Sequence, residues 1–422
     1  MSTYSASAGI PDSLLREISA QVGTPCYVYA HERIVAYYQR LANAFARATA
    51  NHSAGISVTL CYAVKANANL EILRLLRGLG ASFDVVSAGE MRAALEAGAE
   101  PARIVFAGVG KSDAELDAAV RAGIGWINIE NVEELRSLSR IAQGHGRVQR
   151  VALRVNPGID PRTHAYLATG ATGSKFGLAI EEALMLARDR HTTPGVSIDG
   201  LHVHNGSTIK QPGVFAASTR VMCDVLRQCR QLGAVISHLD MGGGFGVAYG
   251  ADQQDADLDG IATAIVTELR NENVALQLEP GRYVIANACT LLSEVLYTKK
   301  SGDKRFVIVD AAMNDLIRPA LYGATHAIAL IGGVAGHSPD WAAYEVVGPI
   351  CESGDFLGHD VMLPPVARGD LLAIGGAGAY GRSMASNYNL RPRAAEVMVE
   401  GGRWRVIRPR ERMEEVIGLH VS

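Results

Sequence analysis

The chain of 422 residues has no excess of either charge. Its 40 Lys and Arg stand against 43 Asp and Glu, for a formal net charge of -3, and the basic residues are scattered rather than blocked. No basic field exists to draw nucleic acid or an anionic membrane. Cysteine patterning is absent too. Cys26, Cys61, Cys223, Cys229, Cys289 and Cys351 include no C-x-x-C pair and no zinc-ligand spacing, so they read as separate thiols of a reducing compartment, which suits the cytoplasm. Long apolar runs are missing: the most apolar stretch, Ala320 to Gly336, is interrupted by Thr325, His326 and four glycines and is too short to span a bilayer. The opening MSTYSASAGIPDSLL lacks the charged and apolar regions of an export signal. What is present is 48% apolar and 20% charged content over a length that suits two or three domains. Small-molecule chemistry is the class left standing.

From about residue 57 to about residue 280, short β-branched runs alternate with helical patterns. Eight strands are expected: Ser57–Lys65, Ser82–Val86, Ile104–Ala107, Trp126–Ile129, Val148–Val155, Ile198–Val203, Ser237–Met241 and Val274–Glu279. Three turns carry a capping residue followed three positions later by Glu, namely Ser87 with Glu90, Ser112 with Glu115 and Asn131 with Glu134, so helices begin directly after strands two, three and four. Ile72, Leu73, Leu76 and Leu79 form one apolar stripe with Glu71, Arg74 and Arg77 outside it, as in a surface helix packed on a sheet. Eight such units suit a closed (β/α)8 barrel of the TIM type, whose active site sits on the loops after the strand C-termini. Lys65, Asn156, His202, His204, Asp240 and Glu279 all fall there. Beyond about residue 285 β patterns dominate, at Phe306–Val309, Tyr344–Val347, Leu371–Ile374, Glu396–Val399 and Trp404–Ile407, the last two joined across the hairpin signal Gly401-Gly402. The expected organisation is an α/β chain with a barrel over residues 35–285 and a β-rich domain over residues 286–422, joined by residues 1–34 with an opening strand at Cys26–Tyr29.

Five places could carry chemistry. Lys65 closes an apolar strand in Y-A-V-K-A-N, where partial desolvation favours the neutral amine that attacks carbonyls; the plain reading is an exposed strand-end lysine. Glu279 in L-E-P-G-R could face a pyridine nitrogen and keep it protonated, or could simply cap a strand. Gly242, Gly243 and Gly244 could cradle a phosphate on backbone N–H groups, or form a tight turn. They do not make a dinucleotide fingerprint, because Val247 stands where its last glycine belongs. In H-V-H-N-G-S the i, i+2 pair His202 and His204 points one way along a strand. No partner at ligand spacing accompanies it, so no metal is expected; a histidine laid on an aromatic cofactor, with Ser207 donating to a phosphate, is the other functional reading. Cys351 with Glu352 in G-P-I-C-E-S-G-D lies in a shaped loop, where a proton-donating thiol competes with a buried inert one.

Taken together, Y-A-V-K-A-N, S-F-D-V-V-S-A-G-E, K-F-G, G-L-H-V-H-N-G-S, D-M-G-G-G-F-G, E-P-G-R, M-N-D-L-I-R-P-A-L-Y, G-P-I-C-E-S-G-D and the run from Gly378 to Arg393 resemble, in order and from about residue 24 to residue 416, the diaminopimelate decarboxylases of the alanine-racemase-like barrel type. The resemblance implies pyridoxal 5'-phosphate as cofactor and decarboxylation of meso-diaminopimelate to lysine as activity. It implies that Lys65 holds the cofactor as a Schiff base with Asp84 nearby, that His204 stacks on the ring and that Glu279 faces its nitrogen. Ser207 and Gly242–Gly244 would take the phosphate, and Gly281, Arg282 and Tyr380 would complete the cofactor site. Arg282, Arg318 and Tyr322 would bind the distal carboxylate, Glu352 the distal amine, and Tyr380 would close the site. Cys351 would return the proton, entering with Glu352 from the partner subunit of a homodimer. Two departures stand out: Asn205 and Thr208 replace family residues around the retained Gly206 and Ser207, and Gly375-Gly376 stands where an acidic residue is common. Related decarboxylases of ornithine, arginine or carboxynorspermidine, and a non-catalytic cofactor-binding barrel, are the alternatives. Arg318 together with Glu352 speaks against the former, because those charges suit a distal group that is itself a zwitterion.

Overall fold

The computed structural model describes residues 5–51, 55–157, 175–250, 252–332 and 340–419. They form two compact units, one of residues 38–246 with 255–281, the other of residues 1–37, 247–254 and 282–422.

The first unit is a closed barrel of eight parallel strands in chain order: Val58–Ala63, Ser82–Val85, Ile104–Phe106, Trp126–Ile129, Gln149–Arg154, Val196–His202, His238–Asp240 and Ala275–Leu278. All eight expected strands are there. The main displacement is at the first, which ends at Ala63, so that Lys65 sits in a 3-10 turn over Val64–Ala66 rather than on the strand. All three capping signals hold: Ser87 accepts from Glu90 N, Ser112 from Glu115 N and Asn131 from Glu134 N, at the starts of helices Ala88–Glu96, Asp113–Ala122 and Val132–Gly144. Helix Leu70–Gly78 buries Ile72, Leu73 and Leu76 completely, worth about 1.5–3 kcal/mol each. Leu79 caps the helix end half-buried.

Strand periodicity stacks the interior in layers. Trp126 lies flat on His238, 4.1 Å between ring centroids, in one layer of the barrel. Two residues further along the same strands come Asn128 and Asp240, and beside His202 and Glu279 they make a polar layer above the apolar one.

The second unit is a nine-stranded sheet. Its main path runs Phe356–Leu363, Ala342–Val347, Lys304–Val309, Cys289–Ser301, Cys26–Ala30, Ala395–Glu400, Arg403–Arg408, with Leu371–Gly375 on Cys289–Ser301 and Ile328–Leu330 on Leu371–Gly375. The opening strand Cys26–Ala30 runs antiparallel to Cys289–Ser301 and parallel to Ala395–Glu400. Gly401 and Gly402, both with positive φ, turn the last hairpin. The apolar core of this sheet includes Leu15, Ile18, Val28, Leu292, Ala373 and Val397. Among the described residues no helix is long and apolar enough to cross a membrane.

Candidate active site

In the barrel unit the strand ends bring together residues far apart in sequence. Lys65 Nζ donates to Asp84 Oδ2 at 2.5 Å, with Asp84 fully buried at the end of the second strand. Burial and the charge of Glu279 push Asp84 up to about 7, while Lys65 opposes the shift. Glu279 is equally enclosed: Asn128 Nδ2 donates to Oε1 at 3.2 Å and His202 Nε2 lies 3.4 Å from Oε2. Burial would raise Glu279, but His202 and Lys65 outweigh it and hold its carboxyl below the ordinary range. Asp240 Oδ1 accepts from Gly242 N at 2.8 Å and Oδ2 from Gln277 Nε2 at 2.5 Å; burial and Glu279 drive it well up. Burial and the Lys65 cation pull His204 down to about 3, so its ring is neutral and able to stack.

The fold also supplies what the spacing around His202 did not reveal. His202, Asp240 and Glu279 converge so that one ligand atom from each lies within 4.8 Å of the others. Both oxygens of Asp240 are already held by Gly242 and Gln277 and Oε1 of Glu279 by Asn128, while His202 meets the cluster through its 3.4 Å approach to Glu279.

The glycine run is a cradle. Gly242 and Gly244 have φ of 65° and 93°, and a Cβ on Gly242 would lie 2.6 Å from the Val203 carbonyl oxygen. Side chains on Gly243 and Gly244 would run into the carbonyls of Glu279 and Gly206. Ile209 N donates to Gly244 O at 2.8 Å, which locks the Gly206–Ser207–Thr208 loop against the run and leaves Ser207 exposed at its edge. The variant Asn205 is buried and points to the helix Pro212–Gln231, where its Oδ1 accepts from Ser218. Its Oδ1 is thus committed to that helix. Gly281 packs against Ala63 and Ala66 on either side of Lys65, and Ala63 N donates to Pro280 O at 3.0 Å, so E-P-G-R holds the lysine turn in place.

In the other unit a second cluster forms. Arg282 Nη1 donates to Tyr249 Oη at 2.9 Å and the guanidinium lies 4.7 Å from the Tyr380 ring centre. Arg318 lies 4.7 Å over the ring of Tyr249 and donates to His326 at 2.9 Å. Tyr322, one turn after Arg318, is 64% exposed and does not share its burial. Cys351 and Glu352 are exposed in a loop anchored by Asp355, which accepts from Met313 N and Ile350 N, both at 2.7 Å. The plain expectation of a buried inert thiol fails for Cys351, and Glu352 is held below the ordinary carboxylate range by the Gly354 amide and the Ser353 hydroxyl.

Sequence reasoning missed Asn128, Tyr249 and His326. Asn128 had a signal, a lone polar residue in W-I-N-I two places after Trp126 and so on the same strand face. Tyr249 and His326 had none.

Residues 34–286 match the family described as "Pyridoxal-dependent decarboxylase, pyridoxal binding domain". Curated relatives over nearly the whole chain share one name: a diaminopimelate decarboxylase of Pseudomonas aeruginosa is 43% identical over 405 residues, 95% of this chain and 94% of the relative, and one of Neisseria meningitidis is 42% identical over 393 residues, 93% and 94%. This chain belongs to the diaminopimelate decarboxylase family. Solved relatives agree in fold. Diaminopimelate decarboxylase of M. jannaschii in co-complex with L-lysine superposes with a TM-score of 0.90 at 35% identity, over 96% of this chain and 94% of that one. The Helicobacter pylori enzyme complexed with L-lysine does so at 0.87 and 38%, over 95% and 98%.

Proposed function

We propose that this protein is a pyridoxal-phosphate-dependent carboxy-lyase that removes carbon dioxide from the D centre of meso-diaminopimelate and releases L-lysine, a step of lysine biosynthesis. The residues fit the cofactor. The glycine cradle of Gly242–Gly244 leaves no room for a side chain on its inner side, and since Gly242 N and Gly243 N donate to Asp240 and His204, the phosphate would rest on Gly244, Gly206 and Ser207. Asp84 Oδ1 and Asn128 Oδ1 are buried polar atoms without a hydrogen-bond partner among the described residues, as a site shaped for a further polar group would leave them.

Lys65 would hold the cofactor, oriented by Asp84, and His204 would stack on its ring. Glu279, kept ionised, would sit at its nitrogen. When bound, the cofactor supplies an electron sink for the pair left at Cα as carbon dioxide departs. Arg282 and Arg318 would bind the distal carboxylate with Tyr322, and Tyr380 would close the site. Glu352 would bind the distal amine and Cys351 would return a proton to Cα. We assign the cofactor site to a barrel domain of residues 35–285, and the β-rich domain of residues 286–422 with 1–34 to substrate selection. The exposure of Cys351 and Glu352 supports a homodimer in which each subunit lends that loop to its neighbour. Six free cysteines, five of them buried, support a cytoplasmic location.

Arg318 carries the substrate reading. It is 5% exposed and has no carboxylate partner among the described residues, so its charge is available to an anionic group of the substrate. The test is carbon dioxide release by the holoenzyme from meso-diaminopimelate, L-lysine, L-ornithine, L-arginine and carboxynorspermidine. Only the first should be turned over, because the others leave Arg318 without a distal carboxylate. Comparable release from ornithine overturns the assignment.

A further inference from the structure

His326 belongs to no motif singled out in the sequence, yet it is 3% exposed and uses both ring nitrogens. Nδ1 lies 2.8 Å from the carbonyl oxygen of Gly375 and Nε2 lies 2.9 Å from Nη1 of Arg318. The two partners leave one arrangement of protons. A carbonyl oxygen can only accept, so Nδ1 carries the hydrogen; a guanidinium can only donate, so Nε2 offers its lone pair. The ring also meets Tyr249 edge to face, 5.2 Å between centroids, and Tyr249 supports Arg318 from below and takes a hydrogen bond from Arg282.

We propose that His326 is a positioning residue for substrate selection: its neutral imidazole, locked in one tautomer by the Gly375 carbonyl, aims Arg318 at the substrate's distal carboxylate without neutralising it. The inference rests on the reading of Arg318 given above. A buried arginine is usually steadied by Asp or Glu, and the pair then has little net charge left for a ligand. An imidazole acceptor gives the same directional restraint at no cost in charge. Burial, followed by the Arg318 cation, pulls His326 down to about 3, so the acceptor persists across the working pH range. Protonation would point an N–H at a guanidinium N–H, and the arrangement would fail.

L-Lysine and cadaverine, used as competing inhibitors of the holoenzyme, provide the test. They share a five-carbon chain and a terminal amine and differ in one carboxylate. In the wild type L-lysine should bind more tightly, and the ratio of the two inhibition constants measures what the carboxylate contributes. Arg318→Met should collapse that ratio. His326→Phe should lower it by about tenfold, as loss of one hydrogen bond to a charged group implies, raise KM for meso-diaminopimelate by a similar factor, and leave kcat, cadaverine binding and the cofactor's absorbance near wild type. His326→Gln, whose amide oxygen reaches the place of Nε2, should recover most of the ratio. His326→Asn, which can keep the bond to Gly375 but not the acceptor, should not.

If Arg318→Met collapses the ratio and His326→Phe leaves it unchanged, the role given to His326 is wrong and that of Arg318 stands. If Arg318→Met itself leaves the ratio unchanged, the substrate reading falls and takes this inference with it. Equal weakening of both inhibitors by His326→Phe would mean a structural role only. Should His326→Phe not fold, the Asn and Gln variants decide: equal ratios in the two overturn the proposal.

Discussion

Among the described residues of the barrel unit, the half-buried Lys65 and the buried Arg154 and Lys111 already have anions. Lys65 is on Asp84, Arg154 on Glu130, and Lys111 lies 2.7 Å from Glu134 with both side chains almost wholly enclosed. In the β-rich unit Arg318 is as deeply buried, but its neighbours are an imidazole and a phenol ring. A cation paired inside the fold is committed to holding its partner in place, and one held by neutral groups keeps its charge for something that arrives from outside. The barrel is therefore organised around groups that must act on one another, and the second cluster around a group that must recognise an anion.

The comparison breaks most completely at Lys65. If the Lys65–Asp84 pair is the cofactor's anchor, Lys65→Ala should abolish turnover, and borohydride reduction of the wild type should fix the cofactor to the peptide that contains Lys65. Cofactor found on another lysine after peptide mapping would remove the pair from the site. A smaller loss is expected at Glu279, which the barrel keeps ionised against its own burial. Glu279→Gln should slow decarboxylation by about 2–4 kcal/mol of barrier, the scale of one lost electrostatic stabiliser, with cofactor binding retained through the glycine cradle. An unchanged rate would take Glu279 out of the chemistry.

A fourfold effect tests whether residues of the second unit serve a neighbour's barrel. Lys65→Ala and Cys351→Ala homodimers should each be nearly inactive. Refolded together, about half the pairs should be mixed, each with one site in which both residues are intact, so that activity returns to about a quarter of wild type. A mixture shown by mass to contain mixed dimers and still inactive would return Cys351 to its own chain's site or exclude it.

Much of this was legible in the chain because local signals and global fold agree. The strands of the barrel are short β-branched runs ended by caps, and Ser87, Ser112 and Asn131 cap where the spacing to Glu placed them. Val64 prolongs the apolar run and carries the expected strand on to Lys65, whereas the strand ends at Ala63 and a 3-10 turn follows. Strand Cys289–Ser301 escaped notice since its first half is buried and its second half exposed, so neither alternation nor a continuous apolar run marks it. Tyr249 and His326 were invisible for a different reason. Their meaning lies in contacts with Arg318, which is 69 residues from one and 8 from the other and carries no local trace of either.

The last comparison, read in stability rather than in turnover, concerns two buried carboxyls, one in each unit, that are both driven up to about 7. Asp84 has Lys65 beside it; Asp315 has no such cation in contact. Asp315 is 2% exposed, its Oδ2 accepts from Ala312 N at 3.1 Å, and its Oδ1 has no partner among the described residues. Burial raises it, Asp310 adds to the shift, and the Ala312 amide with the more distant Arg391 and Arg410 offset only part. An unfolded Asp titrates near 3.8. Between about pH 4 and about pH 7 the folded chain therefore keeps a proton that the unfolded chain has lost, and stability falls as pH rises through that window. Above about pH 7 the full cost, at most about 4 kcal/mol, is in place. Asp315→Asn removes the titration while keeping an acceptor for Ala312 N. Its melting temperature should exceed that of the wild type by a margin that widens from pH 5 to pH 8. A margin that stays constant or narrows over that range would show that Asp315 is not the carboxyl carrying this charge.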